Sequence, residues 1–242
     1  MIRYYIIIIM LLACVESTAQ DEKKFNKAIS FNFIMGAPVG NFASTEKGNN
    51  NESGYAEFGV GFDLNYALTK ASKGSGWIAT VQYLSFGYDM DANIEAHKPT
   101  APGYWYGEGE NWKMTTLMAG RVIPMVKKEK FSFEARAQVG AVFTQTKDRT
   151  IHGLGDYVSY KVIYQYHNDA ASSFCYRLGV GIKARASAKC SFIAGLDFFG
   201  ATPTIGYKSK FTSGGVPSGS NAGSFSQPMN SLQFSTGLQF VL

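Results

Sequence analysis

His97, His152 and His167 are the only three histidines in the chain. Histidine is the side chain whose ordinary titration falls near neutral pH, so these residues set the scope for acid–base chemistry. His152 stands close to Asp156, and His167 close to Asp169. An imidazole beside a carboxylate can serve as a general base held in one orientation. All three fall in segments that read as external loops, where such neighbours are ordinarily only solvated, so no catalytic residue and no enzyme is expected. No His/Cys/Asp grouping has metal-ligand spacing, so neither metal nor cofactor is expected. The glycine pairs Gly59/Gly61 and Gly179/Gly181 lie inside strand patterns. They lack the strand-to-helix setting of a phosphate loop.

Charges at regular spacing carry more information. Asp63, Arg121, Glu134, Arg136, Arg177 and Asp197 fall in mid-strand on otherwise polar faces. Arg121 and Glu134 stand roughly equidistant from the centre of the turn MVKKEK, and Arg177 and Asp197 from that of RASAK. Each pair is therefore expected as near cross-strand neighbours, forming two ion pairs in an enclosed lumen. Aromatics gather in two further places, GYWYGEGENW (Tyr104, Trp105, Tyr106) and the tyrosine run holding Tyr160, Tyr164 and Tyr166. Tyr and Trp are favoured contact residues, so these six are candidate contacts for an external partner, or else rings that stiffen the loops.

The elements that must position these residues are strands. KAISFNFIMG, AEFGVGFDLNYAL, FSFEARAQVGAVFTQ, SFCYRLGVGIKAR, CSFIAGLDFFG and the terminal SLQFSTGLQFVL alternate apolar and polar residues. Successive strand side chains point to opposite faces, so each has one apolar and one polar side. GWIATVQYLSFGY alternates less cleanly, with Trp77, Val81 and Tyr83 as its apolar face. NWKMTTLMAGRVIP reads with Trp112, Met114, Met118 and Val122 on the apolar face against Lys113, Thr115 and Arg121. That makes eight strands. Long and short connections alternate between them, four long and three short, as an up-and-down barrel with loops at one end requires. Mid-strand charges facing lipid would cost several kcal/mol each, so the polar face is expected inside and the apolar face against hydrocarbon. The expected fold is all-β, an eight-stranded antiparallel transmembrane barrel. YVSYKVIYQYH is read as a hairpin rising beyond the membrane. A ten-stranded alternative would recruit it together with IGYKSKF.

Composition agrees with this reading: 14% aromatic, 17% charged and 26 Gly suit short strands and glycine-rich turns in one all-β domain. The net charge of +5 is dispersed, with no basic patch for nucleic acid. The amino terminus, MIRYYIIIIMLLACVESTAQ, has a basic start, an apolar run and a small-x-small site. It is read as a signal peptide, residues 1–19, leaving 20–242 as the barrel domain. Leu11-Leu12-Ala13-Cys14 offers a competing lipoprotein-type cut. Cys175 and Cys190 are expected at opposite ends of adjacent strands, too far apart for a disulfide.

In these features the chain resembles small bacterial outer-membrane β-barrels of the OmpA/OmpX type, with a cut site and loops like those of Bacteroidetes. The terminal GLQFVL is similar to the carboxy-terminal signal read by the barrel-insertion machinery, carried here by Leu238, Phe240 and Leu242. Leu242 departs from the usual aromatic last residue. The resemblance implies a Gram-negative outer membrane, contact with its lipid, external long loops and periplasmic termini. Eight strands leave an interior that side chains fill, which disfavours an open pore. The expected function is non-enzymatic: binding or structural support, alone or as an accessory subunit of a secretion or nutrient-uptake complex. A small-solute or apolar-molecule channel is the alternative.

Overall fold

The structure is a computed structural model that describes residues 25–46, 53–70, 75–97, 103–146, 148–155 and 161–242. The signal-peptide segment, Cys14 and Tyr160 lie outside the described residues. Eight long strands carry the alternating pattern: β1 (Phe25–Val39), β2 (Ala56–Lys70), β3 (Gly76–Tyr88), β5 (Trp112–Lys127), β6 (Phe131–Gln145), β9 (Ala171–Arg185), β10 (Cys190–Ala201) and β13 (Met229–Val241). They close a barrel in the order β1-β13-β10-β9-β6-β5-β3-β2. Every pairing is antiparallel, and β1 meets β13 through an unbroken register from Ala28↔Val241 to Val39↔Asn230. The barrel closes on eight strands, not ten.

The segments considered for a ten-stranded barrel form a separate sheet. It contains β4 (Gly103–Glu108), β7 (Arg149–Gly155), β8 (Lys161–Asn168), β11 (Thr204–Ser213) and β12 (Val216–Ser226), in the order β12-β11-β8-β7-β4. These strands grow out of the barrel wall. β6 runs on into β7 after a short break, β8 returns into β9, and β10 continues into β11. The glycine- and serine-rich stretch after Phe211, read from sequence only as loop, supplies β12. A short helix, α1 (Met90–His97), packs beside β4.

The outer wall is apolar. Phe31, Phe62, Leu64, Leu178, Leu196 and Phe234 are all largely exposed there. Inside, the barrel is filled in two layers. Toward the turn end and the middle lie Ser30, Asn32, Asp63, Asn65, Thr80, Gln82, Arg136, Gln138, Arg177, Asp197 and Gln233, all buried. Toward the loop end lies an apolar plug of Ile34, Phe42, Leu84, Phe86, Trp112, Met114, Val142, Phe199 and Met229. Phe42 sits on a one-turn 3₁₀ helix after β1, edge-on to Phe86 at 5.0 Å and to Trp112 at 5.7 Å.

That plug reverses one expectation. Trp112, Met114, Met118 and Val122 face inward and are buried, while Leu117, Ile123 and Met125 form the outer face of β5. Both faces of β5 are apolar, so alternation could not orient it; the apolar plug needs Trp112 and Met114, and this sets the register. Arg121 therefore lies outside, its guanidinium 4.7 Å from the Trp77 ring. The expected Arg121–Glu134 pair does not form: Arg121 opposes Ala137, Glu134 opposes Pro124, and Glu134 meets Lys183 at 3.5 Å instead. The register also slips between Ala56 and Gly59, where Glu57 is exposed. Cys175 opposes Ala201 while Cys190 opposes Phe240, and both are free thiols.

Candidate functional site: a closed lumen under an aromatic vestibule

Two constellations stand out, one inside the barrel and one above it. The lumen holds two arginines and two aspartates. Arg177 on β9 reaches Asp63 on β2 at 3.0 Å and Asp197 on β10 at 3.1 Å. Arg177 and Asp197 stand on adjacent strands, offset by two residues in register. β9 and β2 are four strands apart in a ring of eight, so the Arg177–Asp63 contact crosses the whole lumen. Arg136 closes the set, donating from Nε to Asp197 at 2.6 Å and from Nη2 to Ser235 at 3.1 Å. Gln82 donates to Gln233 across the lumen at 2.7 Å, and Gln138 to Thr80 at 2.7 Å. Two positive and two negative groups balance, which is how charges are tolerated away from water.

Above the plug, the barrel mouth and the second sheet enclose a cavity of about 290 Å³. Its walls include Tyr55, Tyr88, Trp112, Tyr166, Tyr207 and Phe225, with Asn93, Asn168, Asn221, Gln227, Thr146 and Ser209 between them. Trp112 is pinned by donating from Nε1 to the Gly54 carbonyl at 2.9 Å. Gly54 is required there, because a Cβ would stand 2.4 Å from the Phe42 carbonyl oxygen. Arg149, the first residue of β7, lies over two rings, 5.6 Å from Tyr88 and 5.1 Å from Tyr166. Its Nη1 donates to the Tyr88 hydroxyl. Burial pushes the Tyr166 phenol above its ordinary value, against the opposite pull of the Arg149 charge.

The expected contact residues separate onto different surfaces. Opposed residues in a sheet share a face, and residues two apart along a strand do as well. Trp105 opposes Gly153, which opposes Val162, so Trp105, Ile151, Tyr164, Tyr166 and Phe211 share the cavity side of the sheet. Gly153 makes room for Trp105: a Cβ there would stand 2.5 Å from the indole. Tyr164 lies 6.4 Å from Trp105 and 4.9 Å from Phe211 between ring centroids. Tyr104 and Tyr106 occupy the opposite face, where Tyr106 stacks on His152 at 4.7 Å. Of the expected six, Tyr166 lines the cavity. Sequence reasoning misses Arg149 and Asn168 as site residues, while Trp112 belongs to the GYWYGEGENW stretch it reads as a possible contact surface. Arg149 and Asn168 sit at strand ends within a stretch that reads as loop, and Trp112 reads as part of the apolar, outward face of its strand.

The histidines do not assemble a catalytic set among the described residues. His167 Nδ1 lies 2.5 Å from Asp148 Oδ1, not Asp169, and both side chains are exposed. Asp156 lies outside the described residues. No group of three metal-ligating side chains occurs among the described residues. Leu238, Phe240 and Leu242 are exposed along the outer face at the end of the chain.

A closed eight-stranded antiparallel barrel with an apolar exterior and an ion-paired interior defines a small transmembrane β-barrel of the outer-membrane type. No protein-family model matches the chain, and no curated protein matches it. Among solved structures it is similar to a major outer membrane protein from Thermus thermophilus, at 13% identity and TM-score 0.48, covering 88% of this chain and 99% of that one. It is also similar to OprG from Pseudomonas aeruginosa, at 8% identity and TM-score 0.46, covering 90% and 96%. The attachment invasion locus protein Ail of Yersinia pestis is similar at 13% identity and TM-score 0.39, covering 90% and 98%. At these values the strand order and the two faces of this chain carry the assignment, not the likenesses.

Proposed function

We infer that this barrel is a non-enzymatic outer-membrane protein that acts by binding at its loop end rather than by conducting solutes. The observation that carries the reading is the Arg177–Asp63 contact across the full width of the lumen, beneath a plug centred on Phe42 and Trp112. An interior of eight-stranded size is just wide enough for side chains to fill, which disfavours an open water path. What the barrel holds up is the five-stranded sheet and its cavity, and a rigid scaffold carrying elaborated loops is the usual arrangement of binding proteins. In this reading the second sheet stands outside the cell, both ends of the barrel domain face the periplasm and the outer wall meets lipid. The exposed Leu238, Phe240 and Leu242 support recognition by the insertion machinery.

Reconstitution into planar bilayers tests this. The expected result is the absence of steady unitary conductance. Steady openings that disappear when Phe42 or Trp112 is made bulkier would overturn the reading and favour the channel. Extraction in mild detergent addresses the accessory role: a particle much heavier than one chain plus detergent, with defined companions, supports it.

A further inference from the structure

We propose that the cavity between the barrel mouth and the second sheet is a binding site for a small acidic sugar, its carboxylate held by Arg149. This inference rests on the binding reading above and names its ligand class. Arg149 carries a planar five-donor group, yet among the described residues its only hydrogen bond is the one to the Tyr88 hydroxyl, and its Nε is buried without an acceptor. Asn168 lines the same cavity and is 7% exposed. It donates from Nδ2 to Thr146 Oγ1 at 2.6 Å, which leaves its Oδ1 buried without a donor. Buried polar groups in native proteins are almost always partnered. A cationic donor and a neutral acceptor left open on one cavity therefore describe what a ligand must bring: an anionic acceptor and a hydroxyl-type donor.

The remaining wall narrows the class. Amides and hydroxyls from Asn93, Asn221, Gln227 and Ser209 suit a ligand rich in hydroxyls, and the faces of Tyr166, Tyr207 and Trp112 suit the apolar face of a ring. A volume of about 290 Å³ lies at the small end of ligand pockets and fits one or two sugar rings. Among the described residues, two carboxylates also border the cavity. Glu110 lies 3.3 Å from Lys113, and Glu46 is exposed to solvent at the rim, where water screens it. Among the described residues Arg149 is held on two tyrosine rings instead of by a carboxylate, which leaves its charge for a ligand. Arginine is the side chain best shaped for a carboxylate, through paired N–H donors.

The test is calorimetric titration of the full-length protein in detergent with glucuronate and, separately, glucose. Glucuronate is expected to bind at least about tenfold more tightly, the equivalent of one charge-assisted hydrogen bond. Arg149→Met is expected to bring glucuronate down to the level of glucose. Asn168→Asp, nearly isosteric, places a second negative charge beside the ligand and is expected to weaken glucuronate more than glucose. Heat-dependent gel mobility checks that each variant is folded, and the second variant decides the matter if the first does not fold. A glucuronate-ended oligosaccharide that outcompetes the monosaccharide identifies the source as envelope saccharide; equal competition identifies a free solute. Equal binding of glucose and glucuronate by the wild-type protein, or binding of neither, overturns the proposal. The bilayer measurement stays unaffected by either result, so failure of the sugar site and failure of the binding reading are distinguishable.

Discussion

Asp63 shows how much depends on single side chains in a filled lumen. It accepts hydrogen bonds from Asn32, from Asn65 at 2.7 Å and from Arg177 at 3.0 Å, and it is fully buried. Asp63→Ala leaves the Arg177 guanidinium with only Asp197 to balance it inside the barrel. Breaking a buried pair from one side costs about 3–5 kcal/mol, so denaturant unfolding in detergent should show a loss of that size. Asp63→Asn, which keeps the shape and removes the charge, should fall between the two. Tyr166 gives a prediction in pH. Its phenol is held above its ordinary value by burial, with the Arg149 charge pulling the other way. A raised folded value means that the stability contributed is fully present below about pH 10, the unfolded value, and is lost as pH rises through the folded value. Phenolate absorbance during alkaline titration should contain a late component that Tyr166→Phe diminishes, the rest coming from other buried phenols such as Tyr55, which burial also raises. These roles were only partly open to sequence reading. Asp63, Arg177 and Asp197 stood out as mid-strand charges, but nothing in the chain order says that β2 and β9 face each other across a ring.

Among the elements, each barrel strand separates two solvents, and the separation can be tested face against face. Leu196 on β10 is about half exposed on the outer wall, next along the strand to the buried Asp197. Leu196→Arg should cost about 2–4 kcal/mol if it lies near the bilayer midplane, read as a lower unfolding midpoint in vesicles. The same substitution in a barrel dissolved in flexible detergent should cost less, because the charge can reach water. β5 shows where this two-solvent logic fails as a reading tool. Alternation identifies the strand but not its sense when both faces are apolar, and on β5 Leu117, Ile123 and Met125 outside mirror Met114, Met118 and Val122 inside. The plug above the polar layer made the choice, through the contact of Phe42 with Trp112. Register also removed the expected Arg121–Glu134 pair: Arg121 opposes Ala137, three residues from Glu134, and an odd offset puts the two side chains on opposite faces.

At the scale of the whole molecule, the barrel and the second sheet are built in series, and they should come apart cleanly. The β11–β12 hairpin leaves and re-enters the barrel at Pro203 and Gln227, whose backbones are joined by a hydrogen bond of 2.9 Å. Replacing residues 204–226 with a tight turn should leave a folded barrel, judged by unchanged heat-dependent gel mobility, because barrel pairing is complete without that hairpin. The same deletion removes Tyr207, Ser209, Asn221 and Phe225 from the cavity wall and should abolish glucuronate binding. A barrel that fails to form would show that the second sheet is part of the folding unit.

What the sequence determined by itself was local and periodic. Strict alternation made the strands, the order of long and short connections made an up-and-down barrel, and the cost of charge in hydrocarbon put the polar face inside. Those inferences need only neighbours in the chain. The tertiary structure decided what depends on distant segments meeting: the sense of β5, the partners of Arg177 and Glu134, and the assembly of five loop strands into one sheet. It also decided the vestibule, where Tyr88, Arg149, Asn168 and Tyr207 come from four different strands. A cavity is set by where strand ends converge in space, and no spacing along the chain encodes that convergence.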